Sequence, residues 1–229
     1  MVVRTASRAL EAASVDRVVV ATDDERIVDT CSEFGLETVM TSADHATGTD
    51  RVAEAGEKLG IGDIVNVQGD EPLIDPSTID ALVDGVRSDD EVLVSNAACP
   101  LDPADFENPN VVKAAMDRKG RLLFLSRLPI PFTWESSADR LRHMGMYAFR
   151  GSALARFTSR DQGPIELAER VEMYRFLEHG DAIRLVELPP APPAVDVPDD
   201  IDRIEEYVSE YGGWVNFRSV ERTVQREGD

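Results

Sequence analysis

Between Ile64 and Pro72 the chain reads Ile-Val-Asn-Val-Gln-Gly-Asp-Glu-Pro, an apolar and largely β-branched run that stops on a glycine and two carboxylates. A short run of this kind, bounded by turn formers, predicts a strand buried on both faces. The acids fall at its carboxyl end, which in open α/β sheets is the edge where ligands bind. Asp70 is therefore the first candidate functional residue. Asp70, Glu71 and Pro72 suit a helix cap or a solvated turn equally well on local grounds alone.

The flanking elements alternate. Apolar positions at three- and four-residue steps predict a helix over 2–13, followed by a strand at 17–22, RVVVAT. Asp23-Asp24-Glu25 suits the start of a helix and Gly35 its end. A strand at 37–41 leads through residues 42–48 to a helix capped by Thr49 or Asp50 and running to Leu59. Asp75-Pro76 opens another helix, with proline at the first helical position. The order αβαβαβα implies an α/β fold with parallel strands and helices on both faces. After a strand near 91–98, VVKAAMD and RLLFLSR flank Lys119-Gly120 and predict a hairpin. A strand at 141–149 follows the polar loop 134–139, and Gly163-Pro164 starts an amphipathic helix to about His179. A polyproline connector at 189–193 leads to a last helix, Asp199–Val208, and a polar tail at 212–229.

At 229 residues and 42% hydrophobic content the chain is large enough for a sizeable core. Charges at Arg4, Arg8, Glu11, Asp16 and Arg17 interrupt the first twenty residues, so neither a signal peptide nor a membrane span is expected, and the location is read as cytoplasmic. The net charge of -20, from 44 acidic against 24 basic residues, repels phosphate backbones and argues against a nucleic-acid partner. Lysine is scarce, with only Lys58, Lys113 and Lys119, and the acid surplus reads as adaptation to high salt. Cys31 and Cys99 lack metal-like spacing and are too few for a disulfide framework.

Chemistry can be carried by a few of these residues. Asp70 and Asp196, each at the edge of an apolar segment, are what a hard divalent cation such as Mg²⁺ takes, and the pair points to phosphoryl or nucleotidyl transfer. Alternation along Arg142–Tyr147 places His143, Gly145 and Tyr147 on one strand face, where the glycine leaves room for a ligand. A satisfied core histidine and tyrosine fit the same pattern. Arg127 suits a carboxylate or a phosphate. Glu166, Glu169, Glu172 and Arg175 recur every three residues and read as a solvated helix face with an i, i+3 ion pair.

NVQGDEP at 66–72, SADHATGTDR at 42–51, FLSRLPIPF at 124–132, RHMGMYAFR at 142–150 and AVDVPDDIDRI at 194–204 together resemble the 3-deoxy-manno-octulosonate (Kdo) cytidylyltransferases, in the same order from residue 1 to about 208. The resemblance implies a nucleotide-diphospho-sugar transferase fold, with a mixed, mostly parallel central sheet flanked by helices and a projecting hairpin region that forms a homodimer. It implies that CTP and Kdo give CMP-Kdo and pyrophosphate, with Mg²⁺ on Asp70 and Asp196 as the catalytic centre. Gln68, Arg127, His143, Tyr147 and Glu172 match positions that contact the sugar acid, and Gly48, Thr49 and Arg51 match the loop near the nucleotide.

One departure accompanies the match. Family members begin with an apolar strand and a basic loop, R-x-x-S-x-R-L-P-x-K-P-L, that binds the triphosphate, whereas Met1-Val2-Val3 aligns with the helix after it. The expectation is a domain over 1–211, N-terminally incomplete through a misplaced start, that binds CTP poorly as it stands, followed by the tail 212–229. Two other functions remain open at this stage, the same transfer to another 2-keto sugar acid such as a nonulosonate, and a non-catalytic dimerising paralogue.

Overall fold

A computed structural model of the chain describes residues 1–132, 134, 140–190, 195 and 200–210. The chain divides into two compact units, the first made of residues 1–43, 67–77 and 192–229 and the second of residues 44–66 and 78–191.

In the first unit, α1 (Val2–Ala9) and α2 (Glu25–Glu33) accompany β1 (Val19–Thr22) and β2 (Glu37–Met40), which pair in parallel. Asp24 caps α2 by accepting the Arg26 N–H at 2.8 Å, as its position ahead of the helix requires. Val3, Ala6, Cys31 and Leu36 are buried together. The helix expected over 2–13 ends at Ala9, and irregular turns carry the chain to β1. Two side chains of α1 hold residues 67–77. Thr5 Oγ1 donates to Gly69 O at 3.1 Å and Arg8 Nε to Ile74 O at 3.1 Å.

The second unit is built on six strands. These are β3 (Ile64–Asn66), β4 (Val94–Pro100), β5 (Lys113–Met116), β6 (Leu122–Ser126), β7 (Leu141–Phe149) and β8 (Ile183–Glu187), ordered β6-β5-β7-β4-β8 with β3 also on β7. The registers show β3, β4, β5 and β8 pointing one way and β6 and β7 the other. The mixed sheet is thus mostly parallel in strand direction. Its ladders are mainly antiparallel, because the reversed β7 lies in the middle. This corrects the simple parallel sheet that alternation predicts, and β3, expected to be buried on both faces, keeps Ile64 and Val65 half-exposed.

The remaining helices are α3 (Gly48–Leu59), α4 (Pro76–Arg87), α5 (Ala153–Thr158), α6 (Pro164–Glu169), α7 (Tyr174–Leu177) and α8 (Asp200–Glu210). The α3 cap is Thr47, which accepts the Asp50 N–H at 3.2 Å, and not Thr49 or Asp50. The β5–β6 hairpin turns where expected. Gly120 adopts φ +75°, and Asp117 Oδ1 accepts Lys119 N and Arg121 N at 2.7 and 2.9 Å. Val94, Leu125, Phe149, Phe157, Met173, Phe176 and Ile183 form the core.

The helix expected over 163–179 is two short helices. Arg170, at φ 53°, ends α6 in the left-handed region, and α7 begins only at Tyr174. The three-residue stripe is therefore no helix face, and its side chains separate to different partners. The connector 189–193, apart from Pro189 and Pro190, the loop 134–139, apart from Trp134, and the tail 212–229 lie outside the described residues.

Candidate functional site

β7 is paired with β4 along both halves of its length. On its other side Leu141 and Arg142 pair with β5, whereas Tyr147, Ala148 and Phe149 pair with β3. The sheet therefore parts beside Met144, Gly145 and Met146. His143 and Tyr147 stand at the two ends of this split, and Tyr147 Oη lies 3.2 Å from His143 Nε2. Their ring centroids are 5.9 Å apart. The strand alternation therefore does bring the two rings to one face, in contact across Gly145.

Burial sets the electrostatics here. Desolvation, reinforced by the positive charges of Arg142 and Arg127, lowers the His143 imidazole from 6.5 to about 4, so the ring is neutral at physiological pH. Desolvation also pushes the Tyr147 phenol up, with the nearby Glu172 carboxylate adding to the effect. The pair is a neutral hydrogen-bonding edge. It orients a polar ligand without adding charge.

Arg127 follows β6. Its Nε donates to Glu169 O at 2.6 Å and its Nη1 to Pro109 O at 2.9 Å. Its backbone N–H donates to Glu169 Oε2 at 2.9 Å. Two carbonyls thus aim the guanidinium, and its charge stays available to an anion. Lys113, fully buried on β5, braces the same loop by donating from Nζ to Asn108 O at 2.6 Å and to Arg127 O at 3.2 Å. Burial lowers the Lys113 ammonium.

Glu172, in the turn between α6 and α7, reaches the first turn of α3. Its Oε2 accepts the Thr49 N–H at 3.1 Å, an anion at a helix N-terminus. Burial raises its carboxyl, while the Thr49 N–H favours the charged form. Three residues on, Arg175 Nη1 donates to Asp50 Oδ1 at 2.9 Å, and its Nη2 and Nε donate to the two Glu166 oxygens at 2.7 and 3.1 Å. The Arg175 guanidinium also lies 3.8 Å over the Phe157 ring. Glu166 and Arg175 are both buried. The solvated face expected of this stripe is corrected to a set of buried and half-buried clamps, since the break at Arg170 turns its members toward β6 and α3.

The second unit therefore brings together Arg127, His143, Tyr147 and Glu172, with Gly48, Thr49 and Arg51 in the first turn of α3. Gln68 and Asp70 belong to the first unit, within residues 67–77. There Asp70 O accepts the Val195 N–H at 3.1 Å. Asp196 lies outside the described residues, and among those described no three His, Cys, Asp or Glu side chains group as a metal site. Lys113 and Glu169, which brace Arg127, and Arg175, which holds Asp50 in the first turn of α3, were not expected to support these side chains. For Lys113 the available signal was a lone lysine within the apolar VVKAAM.

A family model described as cytidylyltransferase matches residues 1–184. The 3-deoxy-manno-octulosonate cytidylyltransferase of Syntrophotalea carbinolica is 43% identical over 219 residues, spanning 91% of this chain and 88% of that protein. The protein of the same name from Methylibium petroleiphilum is 43% identical over 229 residues, 93% of this chain and 86% of its own. A solved CMP:2-keto-3-deoxy-manno-octonic acid synthetase in complex with CTP superposes with a TM-score of 0.86 at 32% identity, over 91% of this chain and 87% of that one.

Proposed function

The chain belongs to the cytidylyltransferase family, has the nucleotide-diphospho-sugar transferase fold, and on that premise we propose that it transfers CMP from CTP to the anomeric hydroxyl of Kdo, releasing pyrophosphate. The observation that carries the sugar-acid assignment is the split beside β7, where neutral hydrogen-bonding rings lie within the field of the aimed Arg127 guanidinium. A 2-keto sugar acid has this chemistry, one carboxylate and several hydroxyls. Arg127 takes the carboxylate, and His143, Tyr147 and Glu172 take hydroxyls. Gly48, Thr49 and Arg51 are assigned to the nucleotide.

In the reaction the anomeric oxygen forms a bond to the α-phosphorus, the bond from that phosphorus to the β-phosphate oxygen breaks, and the hydroxyl proton is released to solvent. The enzyme's residues hold the two substrates in line, which supplies much of such an acceleration through proximity. Neutral His143 and Tyr147 keep the sugar desolvated without trapping its carboxylate away from Arg127.

Asp70 and Asp196 are proposed to hold Mg²⁺. Their carboxylates are hard oxygen donors of the kind this ion prefers. When bound, the ion supplies charge neutralisation at the phosphate oxygens.

A homodimer is proposed on the strength of exposed apolar side chains on and after β6, Leu123, Leu128, Phe132 and Trp134, the last two more than four-fifths exposed. Sedimentation of L128D/F132D as a lighter species than wild type tests this. The acidic surplus supports a cytoplasm of high salt. No described helix is long and apolar enough to cross a membrane.

The test of function is pyrophosphate release by the protein in high salt, with Mg²⁺, CTP and a panel of 2-keto sugar acids. Turnover highest with Kdo is expected. Higher turnover with a nonulosonate would reassign the sugar, and none with any acid would leave a non-catalytic paralogue. Asp70→Asn is expected to cut turnover by about a hundredfold or more while leaving folding nearly unchanged. Wild-type rates from that variant would remove the metal assignment.

A further inference from the structure

Two asparagines flank Tyr147 in one row across the sheet, Asn96 on β4 and Asn66 on β3, each the direct cross-strand partner of the tyrosine. Side chains paired in this way leave the same face of a sheet. Both asparagines are buried, at 0% and 7% exposure. Their amide nitrogens are treated differently, while Asn96 Oδ1 is itself buried without a partner. Asn96 sits at a register shift opposite Met144–Met146, and its Nδ2 donates to Met144 O at 2.9 Å and Met146 O at 3.1 Å. Asn66 Nδ2 is buried with no hydrogen-bond partner.

A buried amide donor is almost always satisfied, because leaving it bare forfeits the hydrogen bonds it makes with water. Valine or threonine would suit a strand at this position better. The orphaned donor lies on the face that carries the Tyr147 phenol, which contacts His143 and lies in the field of the Glu172 carboxylate. Glu172 accepts hydrogen bonds and Asn66 Nδ2 donates one. A hydroxyl is the group that can donate to Glu172 and accept from Asn66 Nδ2.

We propose that Asn66 is a substrate-binding and specificity-determining residue, whose Nδ2 donates to a hydroxyl oxygen of the sugar acid at the split beside β7. This inference rests on the proposed sugar-acid site and gives a role to Asn66, the first residue of NVQGDEP, which the resemblance left without one. Its place beside Tyr147 makes it sensitive to the sugar's hydroxyl pattern. It has no part in holding the nucleotide.

Steady-state kinetics of wild type, N66A and N66L with CTP and Kdo test it, together with thermal melts with and without Kdo. The expected result is a rise in KM for Kdo of about tenfold in both variants, the factor of one hydrogen bond, with KM for CTP within about twofold. The unliganded melting temperature of N66A should fall by less than about 3 °C. Among Kdo analogues lacking single hydroxyls, one should lose about the same factor with wild type and nothing further with N66A. Unchanged KM for Kdo in both variants, or a lowered melting temperature without any change in KM for Kdo, would overturn the inference and leave the sugar-acid site standing. Wild type that turns over no 2-keto sugar acid would overturn the site and the inference together.

Discussion

Arg175 and Tyr147 both lie deep in the second unit, and their surroundings are built on opposite rules. Around Arg175 the charges are matched, with Glu166 and Asp50 taking three of its N–H groups and Phe157 covering its face. Around Tyr147 the groups are neutral or burial-shifted. The histidine is held uncharged, the phenol is held protonated, and a neighbouring amide has no acceptor. The difference teaches how to separate scaffold from site. The Arg175 cluster is closed within the protein and holds the fold, whereas Asn66 Nδ2, bare and buried beside Tyr147, is open to a group the chain does not supply.

The comparison can be broken at either end. The largest effect is expected on the scaffold side. R175M leaves Glu166 and Asp50 without their buried counter-charge and should lower unfolding free energy by about 3–5 kcal/mol in denaturant titration. A loss below about 1 kcal/mol would mean that the cluster is not structural. Next comes acid sensitivity at His143. The folded state holds the imidazole near 4 and the unfolded chain near 6.5, so unfolded protein binds the proton first. Stability contributed by the neutral ring is complete above about pH 6.5 and is lost as pH falls toward 4, by at most about 3 kcal/mol. H143Q should flatten that part of the stability curve, and an unchanged slope in the variant would contradict the burial effect. The smallest stability change is expected from N66A, below about 1 kcal/mol, since the removed donor held nothing in the unliganded protein.

Legibility in the sequence followed the range of the interactions. The period-two pattern of RHMGMYAFR is local, and it correctly put His143 and Tyr147 on one face. The Lys119-Gly120 turn was equally local, because a positive φ there favours glycine. The stripe from Glu166 to Arg175 misled, since its spacing is helical while Arg170 breaks the helix, and no glycine or proline marks the break. Thr47, Thr49 and Asp50 are all good caps, and only the observed bond to Asp50 N chooses among them. The Glu172 bond to Thr49 spans 123 residues of sequence, beyond any periodicity. Central placement of the reversed β7, and with it the split, is likewise a matter of long-range pairing.

The family motifs marked residues by their match. The geometry adds how they are held, with Arg127 aimed by Glu169 O and Pro109 O and braced by Lys113. It also shows Glu172 holding the first turn of α3, so one carboxylate links a proposed sugar contact to a proposed nucleotide contact.

A crystal structure of the protein grown with Kdo decides most directly where the sugar acid binds. Sugar-acid density is expected beside Met144–Met146, with the carboxylate on Arg127 and hydroxyls within hydrogen-bond distance of His143, Tyr147 and Asn66 Nδ2. Kdo bound elsewhere, with Arg127 and Asn66 untouched, would contradict it.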